Sequence, residues 1–326
     1  MGLLSITPRL DPQMAHALKI AAELAAKTKE RHGLGEVAAT DLPNQRILYN
    51  ADREFWNRDA PEMGESKDIT IDTANGPLAL RLHRPQNAKS PSPVLIYLHG
   101  GGWIVGNLDT HARIMRLLAE KSGWCVLGVD YHLAPEAKFP VPQEDCLAAA
   151  QWVIDQGTQH GLDADRIALG GDSAGGNMSM ATLLALRAQG QHHRVKAALL
   201  YYGSYGLRDS ASRRLWGGAE DGLSPQDLAF FRTCLMNSPE EMSDLRFDIL
   251  ANPLNDLPPL YILDVAMDPL ADDSVALAQA VQEAGGTVDY RRVEGVLHGF
   301  LHMSGHVDAA MTALTEGAAF LRHHAQ

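Results

Sequence analysis

A chain of 326 residues is long for one compact core and short for two full domains, so one large α/β unit with an appended element fits best. Its hydrophobic share of 45% and charged share of 21% are those of an ordinary globular protein, which excludes collagen-like and disordered chains. The formal net charge of −12, without clustered Lys and Arg, argues against nucleic acid and anionic membrane as ligands.

The cysteines, Cys125, Cys146 and Cys234, are too widely spaced for a metal site, a redox pair or a disulfide framework. The stretch from Met1 to Pro8 lacks the basic start and long apolar core of a signal peptide. No run approaches the ~20 apolar residues of a membrane helix. A cytoplasmic location is therefore expected.

In chain order, residues 11–32 carry Met14, Leu18, Ala21, Ala22 and Ala25 at helical spacing, and Gly33 and Gly35 stop the helix. The pattern then weakens to residue 66, with Phe55 and Trp56 as isolated apolar anchors. Residues 1–66 are read as a helical cap or arm, and 67–326 as the α/β catalytic domain. That domain opens with a hairpin, Asp68–Asp72 and Leu78–Leu82, turning at Asn75-Gly76.

The run Val94–Leu98 is continuously apolar, as a strand buried on both faces must be. Similar runs are Cys125–Val129, Ile167–Leu169, Ala197–Tyr202 and Leu260–Val265, with Thr287–Val293 as a sixth. Helical stretches fall between them at Ile114–Lys121, Cys146–Gln156, Asn177–Gln189 and Asp273–Ala284. This alternation predicts a mostly parallel sheet covered on both faces by helices. Pro140, Pro142 and the segment 252–259 read as surface connections. Residues 205–250 break the alternation and read as a second part of the cap, with Ser224-Pro-Gln-Asp227 as a helix start.

Two motifs carry chemistry. Gly171-Asp-Ser-Ala-Gly175 stands directly between a short apolar strand and a helix, the setting in which a Gly-x-Ser-x-Gly turn lifts a serine above the sheet edge. The alternative reading is a flexible turn before a helix. His99-Gly-Gly-Gly-Trp103 follows the strand Val94–Leu98, where bare glycine N–H groups can face a developing oxyanion. Ala174, next after the serine, supplies a further donor. A phosphate loop at Gly100–Gly102 would lack the Walker lysine and the dinucleotide spacing.

Ser173 needs a base and an acid, in the chain order Ser, Asp or Glu, His. Asp268 lies just past the end of the strand Leu260–Val265. Asp264 falls inside that strand, and Asp272 and Asp273 open the next helix, where acids favour the helix dipole. His298 sits beyond the last strand with Gly299 beside it. His302 and His306 read as surface or packing residues, and the pairs His192-His193 and His323-His324 as solvated. No metal or cofactor is expected. Trp103, Asp172 and Phe300 are candidate pocket residues, with core packing an equal alternative for the two aromatics.

Together His99-Gly-Gly-Gly-Trp103, Tyr131-x-Leu-Ala-Pro-Glu136, Gly171-Asp-Ser-Ala-Gly-Gly-Asn177, Asp268-Pro-Leu270 and His298-Gly-Phe300 resemble the bacterial hormone-sensitive-lipase family of esterases (family IV). Tyr205-Gly-Leu-Arg-Asp-Ser210 and Asp268-Pro-Leu-x-Asp-Asp-Ser274 resemble its branch acting on acetyl esters. The resemblance implies an α/β-hydrolase fold, a Ser173, Asp268, His298 triad, and oxyanion donors at Gly101, Gly102 and Ala174, with Gly100 shaping the loop. It implies a serine carboxylesterase for short acyl esters, acetyl to about octanoyl, with the cap segments lining the pocket. It admits a homodimer and a regulatory contact with cytoplasmic proteins of sugar metabolism. Two rivals share the fold: a receptor that has lost catalysis, against which Asp268 and His298 argue, and a peptidase or amidase.

Overall fold

The computed structural model describes residues 3–218 and 222–324. Residues 1–2 of the expected arm, 219–221 of the second cap segment and 325–326 of the catalytic domain lie outside the described residues.

The strands are β1 (Glu65–Thr73), β2 (Gly76–Arg84), β3 (Ser92–Leu98), β4 (Cys125–Asp130), β5 (Leu162–Asp172), β6 (Val195–Tyr201), β7 (Leu260–Val265) and β8 (Val288–Val293). They form one eight-stranded sheet in the order β1-β2-β4-β3-β5-β6-β7-β8. The first two ladders, β1 with β2 and β2 with β4, are antiparallel, and every later pair is parallel. The apolar runs have a direct cause. Val94, Ile96 and Leu98 of β3 enter one hydrophobic core, while Leu95 and Tyr97 enter the other. A strand buried on both faces cannot alternate polar and apolar residues.

Helices α1 (Pro12–His32), α2 (Leu42–Trp56), α3 (Ala112–Ser122), α4 (Val141–Gln156), α5 (Ala174–Ala188), α6 (Ala211–Leu215), α7 (Pro225–Leu235), α8 (Ala271–Glu283) and α9 (Asp308–His324) complete the fold. Helices α4, α5 and α8 pack into the first core, and α3 and α9 into the second. No helix among the described residues is long and apolar enough to cross a membrane. The three cysteines are buried and unpaired.

Three local expectations change. Helix α2 occupies the stretch that reads as patternless, capped by Asp41, whose side chain accepts from the Asn44 N–H, with Pro43 in its first turn. The hairpin turns one residue earlier, on Ala74-Asn75, because Thr73 pairs with Gly76. Pro142 is a buried residue of the first turn of α4, not a surface connection; proline is tolerated there because that N–H has no intrahelical acceptor. The expected start at Ser224 holds. Its hydroxyl accepts from the Asp227 N–H at 3.1 Å, and the Asp227 carboxylate accepts from the Ser224 N–H at 2.8 Å.

Candidate active site

Ser173 sits between the end of β5 and the start of α5, in a backbone conformation (φ 54°, ψ −119°) that a side chain adopts only under constraint. The constraint is close packing. A Cβ on Gly175 would collide with the Leu98 carbonyl oxygen, so α5 meets the β3 edge only without one. Carboxyl ends of adjacent parallel strands then bring the other groups to the same place.

His298, in the loop after β8, has Nε2 2.8 Å from Ser173 Oγ and Nδ1 2.6 Å from Asp268 Oδ2. A carboxylate only accepts, so Nδ1 carries the proton and Nε2 is left to accept from the serine hydroxyl. Asp268, in the loop after β7, is fully buried, and its Oδ1 accepts the Leu270 N–H at 2.8 Å. Both oxygens are thus committed and the ring is held in one orientation. The edge of the imidazole packs on Tyr202, centroids 4.9 Å apart.

The neighbouring acids do other work. Asp264 is bound by Arg292 and Tyr290. Asp272 accepts the Ser212 N–H. Asp273, read from sequence as a helix-dipole acid, is buried and accepts the N–H groups of Tyr205, Gly206 and Leu207 while pairing with Arg213 at 2.8 Å. It pins the segment after β6.

The glycine loop lies beside Ser173. Gly101 has φ 117°, and a Cβ there would strike the Val105 carbonyl. Among the described residues no acceptor pairs with the N–H of Gly101, Gly102 or Ala174. Gly100 is a correction to the expected oxyanion set. Its N–H donates to Asp172 Oδ1 at 3.0 Å and is not free for substrate.

Asp172 borders a cavity beside Ser173, where a pocket residue was expected, and its carboxylate also accepts from Tyr97 Oη at 2.8 Å and faces His111 Nε2 at 3.5 Å. Burial alone would raise its pKa. Interaction with His111 and the hydrogen bonds from Tyr97 and Gly100 outweigh that and hold it at about 2. Behind it, His99 is pushed down to about 3, chiefly by burial and then by His111. His302 is buried and held well below its ordinary value, first by burial and then by nearby cations. His111, Asp172 and His302 bring ligand atoms within 4.8 Å of one another, the metal-like spacing found among the described residues. Because Asp172 Oδ1 already serves Tyr97 and Gly100, the carboxylate reads as a tether of the glycine loop, with the His111 and His302 rings packed beside it, centroids 4.5 Å apart.

Two cavities meet at Ser173. One, of about 40 Å³, is bordered by Trp103, Ala174, Leu207, Phe231 and Phe247 and does not reach His298. The other, of about 390 Å³, is bordered by His298, Gly101 and by Tyr49, Asp52 and Arg53 of α2. Trp103 is therefore where a pocket wall was expected. Phe300 is not: it is wholly buried, packed 5.9 Å from the Tyr202 ring, and borders neither cavity. Tyr49, Asp52, Arg53 and Phe231 escape sequence reasoning. For the first three the one signal is the helix start Asp41-Leu-Pro43, since 49, 52 and 53 then share a face.

A family model described as the alpha/beta hydrolase fold matches residues 95–302. The chain is 40% identical over 284 residues to the acetyl esterase of Salmonella schwarzengrund and 41% identical to that of Salmonella paratyphi A, covering 86% of both chains in each case. An esterase of Pyrobaculum calidifontis superposes with a TM-score of 0.87 at 30% identity, over 96% of this chain and 98% of its own. An ester-hydrolase from the Lake Arreo metagenome, complexed with a derivative of bipyridine phosphonate, gives 0.88 at 31% identity, over 97% and 99%. The chain thus belongs to the alpha/beta hydrolase family. Within that family it is a carboxylic ester hydrolase, and the Salmonella relatives are acetyl esterases.

Proposed function

We propose that the protein hydrolyses short-chain acyl esters through Ser173, His298 and Asp268 and a covalent acyl-enzyme. The observation that carries this reading is the relay of two short hydrogen bonds, Ser173 to His298 at 2.8 Å and His298 to Asp268 at 2.6 Å. Ser173 Oγ attacks the ester carbonyl as its proton passes to His298 Nε2, and Asp268 stabilises the resulting imidazolium. The oxyanion forms against the unpaired N–H groups of Gly101, Gly102 and Ala174, each worth about 3 kcal/mol to the transition state. His298 protonates the departing alkoxide. Water then attacks the acyl-enzyme by the same route, releasing the acid and restoring Ser173.

The two cavities give this chemistry a direction. The leaving oxygen must be within reach of His298, so the alcohol portion belongs in the 390 Å³ cavity and the acyl chain in the 40 Å³ one. A space of that size holds only a few waters, which favours acetyl to butyryl over octanoyl. Helices α1, α2 and α7 border these cavities, in support of a cap built from residues 1–66 and 205–250.

A series of p-nitrophenyl esters from acetyl to octanoyl tests the reading. kcat/KM is expected to peak at two to four carbons and fall steeply by eight. A profile that rises to octanoyl would reverse the assignment of the cavities. Turnover of p-nitroacetanilide comparable with that of p-nitrophenyl acetate would favour the amidase reading.

A further inference from the structure

The small cavity has an unexpected wall. Arg208, Arg213 and Arg232 all border it, in the same space as Ser173 and Ala174. Among the described residues only Arg213 has a carboxylate in contact, Asp273 at 2.8 Å, and that carboxylate already accepts three backbone N–H groups. Arg208 donates to the Ser243 hydroxyl and Arg232 to the Leu228 carbonyl, both neutral. Among the described residues neither forms an ion pair. The buried Nε of Arg213 has no acceptor. Among the described residues Asp248 reaches Arg208 electrostatically, and Asp209, already paired with Arg214, reaches Arg213. Four guanidiniums against three carboxylates there leave one cation in excess.

The excess is felt locally. Arg232 is shifted below its ordinary value by burial and then by repulsion from Arg213, with Arg208 adding to it. Arg213 and Arg232 are half-buried, where like charges are costly to hold together unless something neutralises them, while Arg208 stands at the exposed rim. A carboxylate or similar anion is the group that guanidinium forks match, in charge and in planar geometry. The apolar stretch from Ser173 past Trp103, Leu228 and Phe231 would take the methylenes between the scissile carbonyl and that anion.

We infer that the acyl pocket selects short acyl groups ending in a carboxylate, so that monoesters of small dicarboxylic acids (malonyl or succinyl class) are preferred substrates. This rests on the triad and cavity assignment above. Ser173 Oγ bonds to the ester carbonyl carbon, the bond to the alcohol oxygen breaks, and the Ser173 proton leaves with the alcohol by way of His298. Water then releases the free dicarboxylate. The distal carboxylate takes no part in bond making and serves only to anchor the chain on the arginines.

The test compares p-nitrophenyl hemisuccinate with its methyl-capped neutral isostere, p-nitrophenyl methyl succinate. In the unaltered enzyme the anionic ester should have a kcat/KM about tenfold or more above the neutral one at low salt, with the ratio falling as salt rises. Arg232→Gln and Arg208→Gln should each bring the ratio toward one, and Arg232→Lys should restore part of it. The ratio is read within each variant, so a general loss of activity or of folded protein cancels. A ratio at or below one in the unaltered enzyme, or one that neither glutamine variant changes, overturns the proposal. So does selection for charge on the alcohol side, measured as 3-acetoxybenzoate over phenyl acetate, without any on the acyl side. If neither these esters nor p-nitrophenyl acetate is hydrolysed, the triad reading itself has failed, which is a distinct result.

Discussion

Replacing Asp172 separates what its charge does from what its position does. Its carboxyl is held at about 2 against an ordinary 3.8, because His111, Tyr97 and Gly100 together outweigh the cost of burial. A folded-state value below the unfolded one means stability that is present above pH 4 and lost as pH falls toward 2, and the difference corresponds to about 2 kcal/mol. Asp172→Asn keeps an acceptor oxygen for Tyr97 and Gly100 and should lose about that amount at pH 7, with the gap to the unaltered protein closing below pH 4. Asp172→Ala removes the acceptor as well. It leaves the buried Tyr97 hydroxyl and Gly100 N–H unpaired and should cost about 3–5 kcal/mol. It also frees the loop that carries the Gly101 and Gly102 donors, so kcat for p-nitrophenyl acetate should fall by about tenfold to a hundredfold with KM little changed. Urea unfolding at several pH values, together with steady-state kinetics, measures both. Unchanged unfolding midpoints and an unchanged kcat in both variants would refute the tethering role.

Other predictions follow from the same contacts. Asp268→Asn should reduce kcat by several orders of magnitude while Asp264→Asn and Asp272→Asn cost little rate, because only Asp268 faces His298; equal rate losses at all three positions would contradict this. kcat/KM should fall on the acid side because a protonated imidazole cannot accept the serine proton, and burial keeps His99 and His302 below their ordinary value, so His302→Gln should leave the midpoint of that limb in place, read from a pH–rate profile. Gly175→Ala should give little folded protein, because the new methyl meets the Leu98 carbonyl and neither backbone can retreat; circular dichroism and solubility report this directly. Asp273→Ala strands three N–H groups and Arg213, and a stability loss of about 3–5 kcal/mol is expected in denaturant unfolding.

The central strands were legible because burial on both faces leaves no room for polar residues. Val94–Leu98 of β3, Cys125–Val129 of β4 and Ala197–Tyr201 of β6 read as unbroken apolar runs, and β7 is interrupted only by Asp264, whose carboxylate Arg292 and Tyr290 bind. β5 was legible only at its end, since Asp163, Asp165 and Arg166 occupy its exposed start. The grouping of Ser173, Asp268 and His298 was legible through topology: the chain order, and the habit of open α/β sheets of placing chemistry at strand carboxyl ends, single them out from many candidates. Helix α2 was hidden by the feature that makes it of interest. Its inner face turns Tyr49, Asp52 and Arg53 to a cavity instead of a core, so hydrophobic periodicity is blurred. Phe300 and Gly100 show the limit of adjacency in sequence. Phe300 is two residues from His298 yet points into the core, and Gly100 opens the glycine run yet spends its N–H on Asp172.

The central claim is that Ser173 is the nucleophile. Its direct test is intact-protein mass spectrometry after exposure to diisopropyl fluorophosphate, with peptide mapping of the adduct. One phosphoryl group per chain, located on Ser173, lost in Ser173→Ala and accompanied by loss of nearly all p-nitrophenyl acetate turnover, is the predicted result. An adduct on another residue, or a Ser173→Ala enzyme that still hydrolyses the ester at close to the full rate, would contradict it.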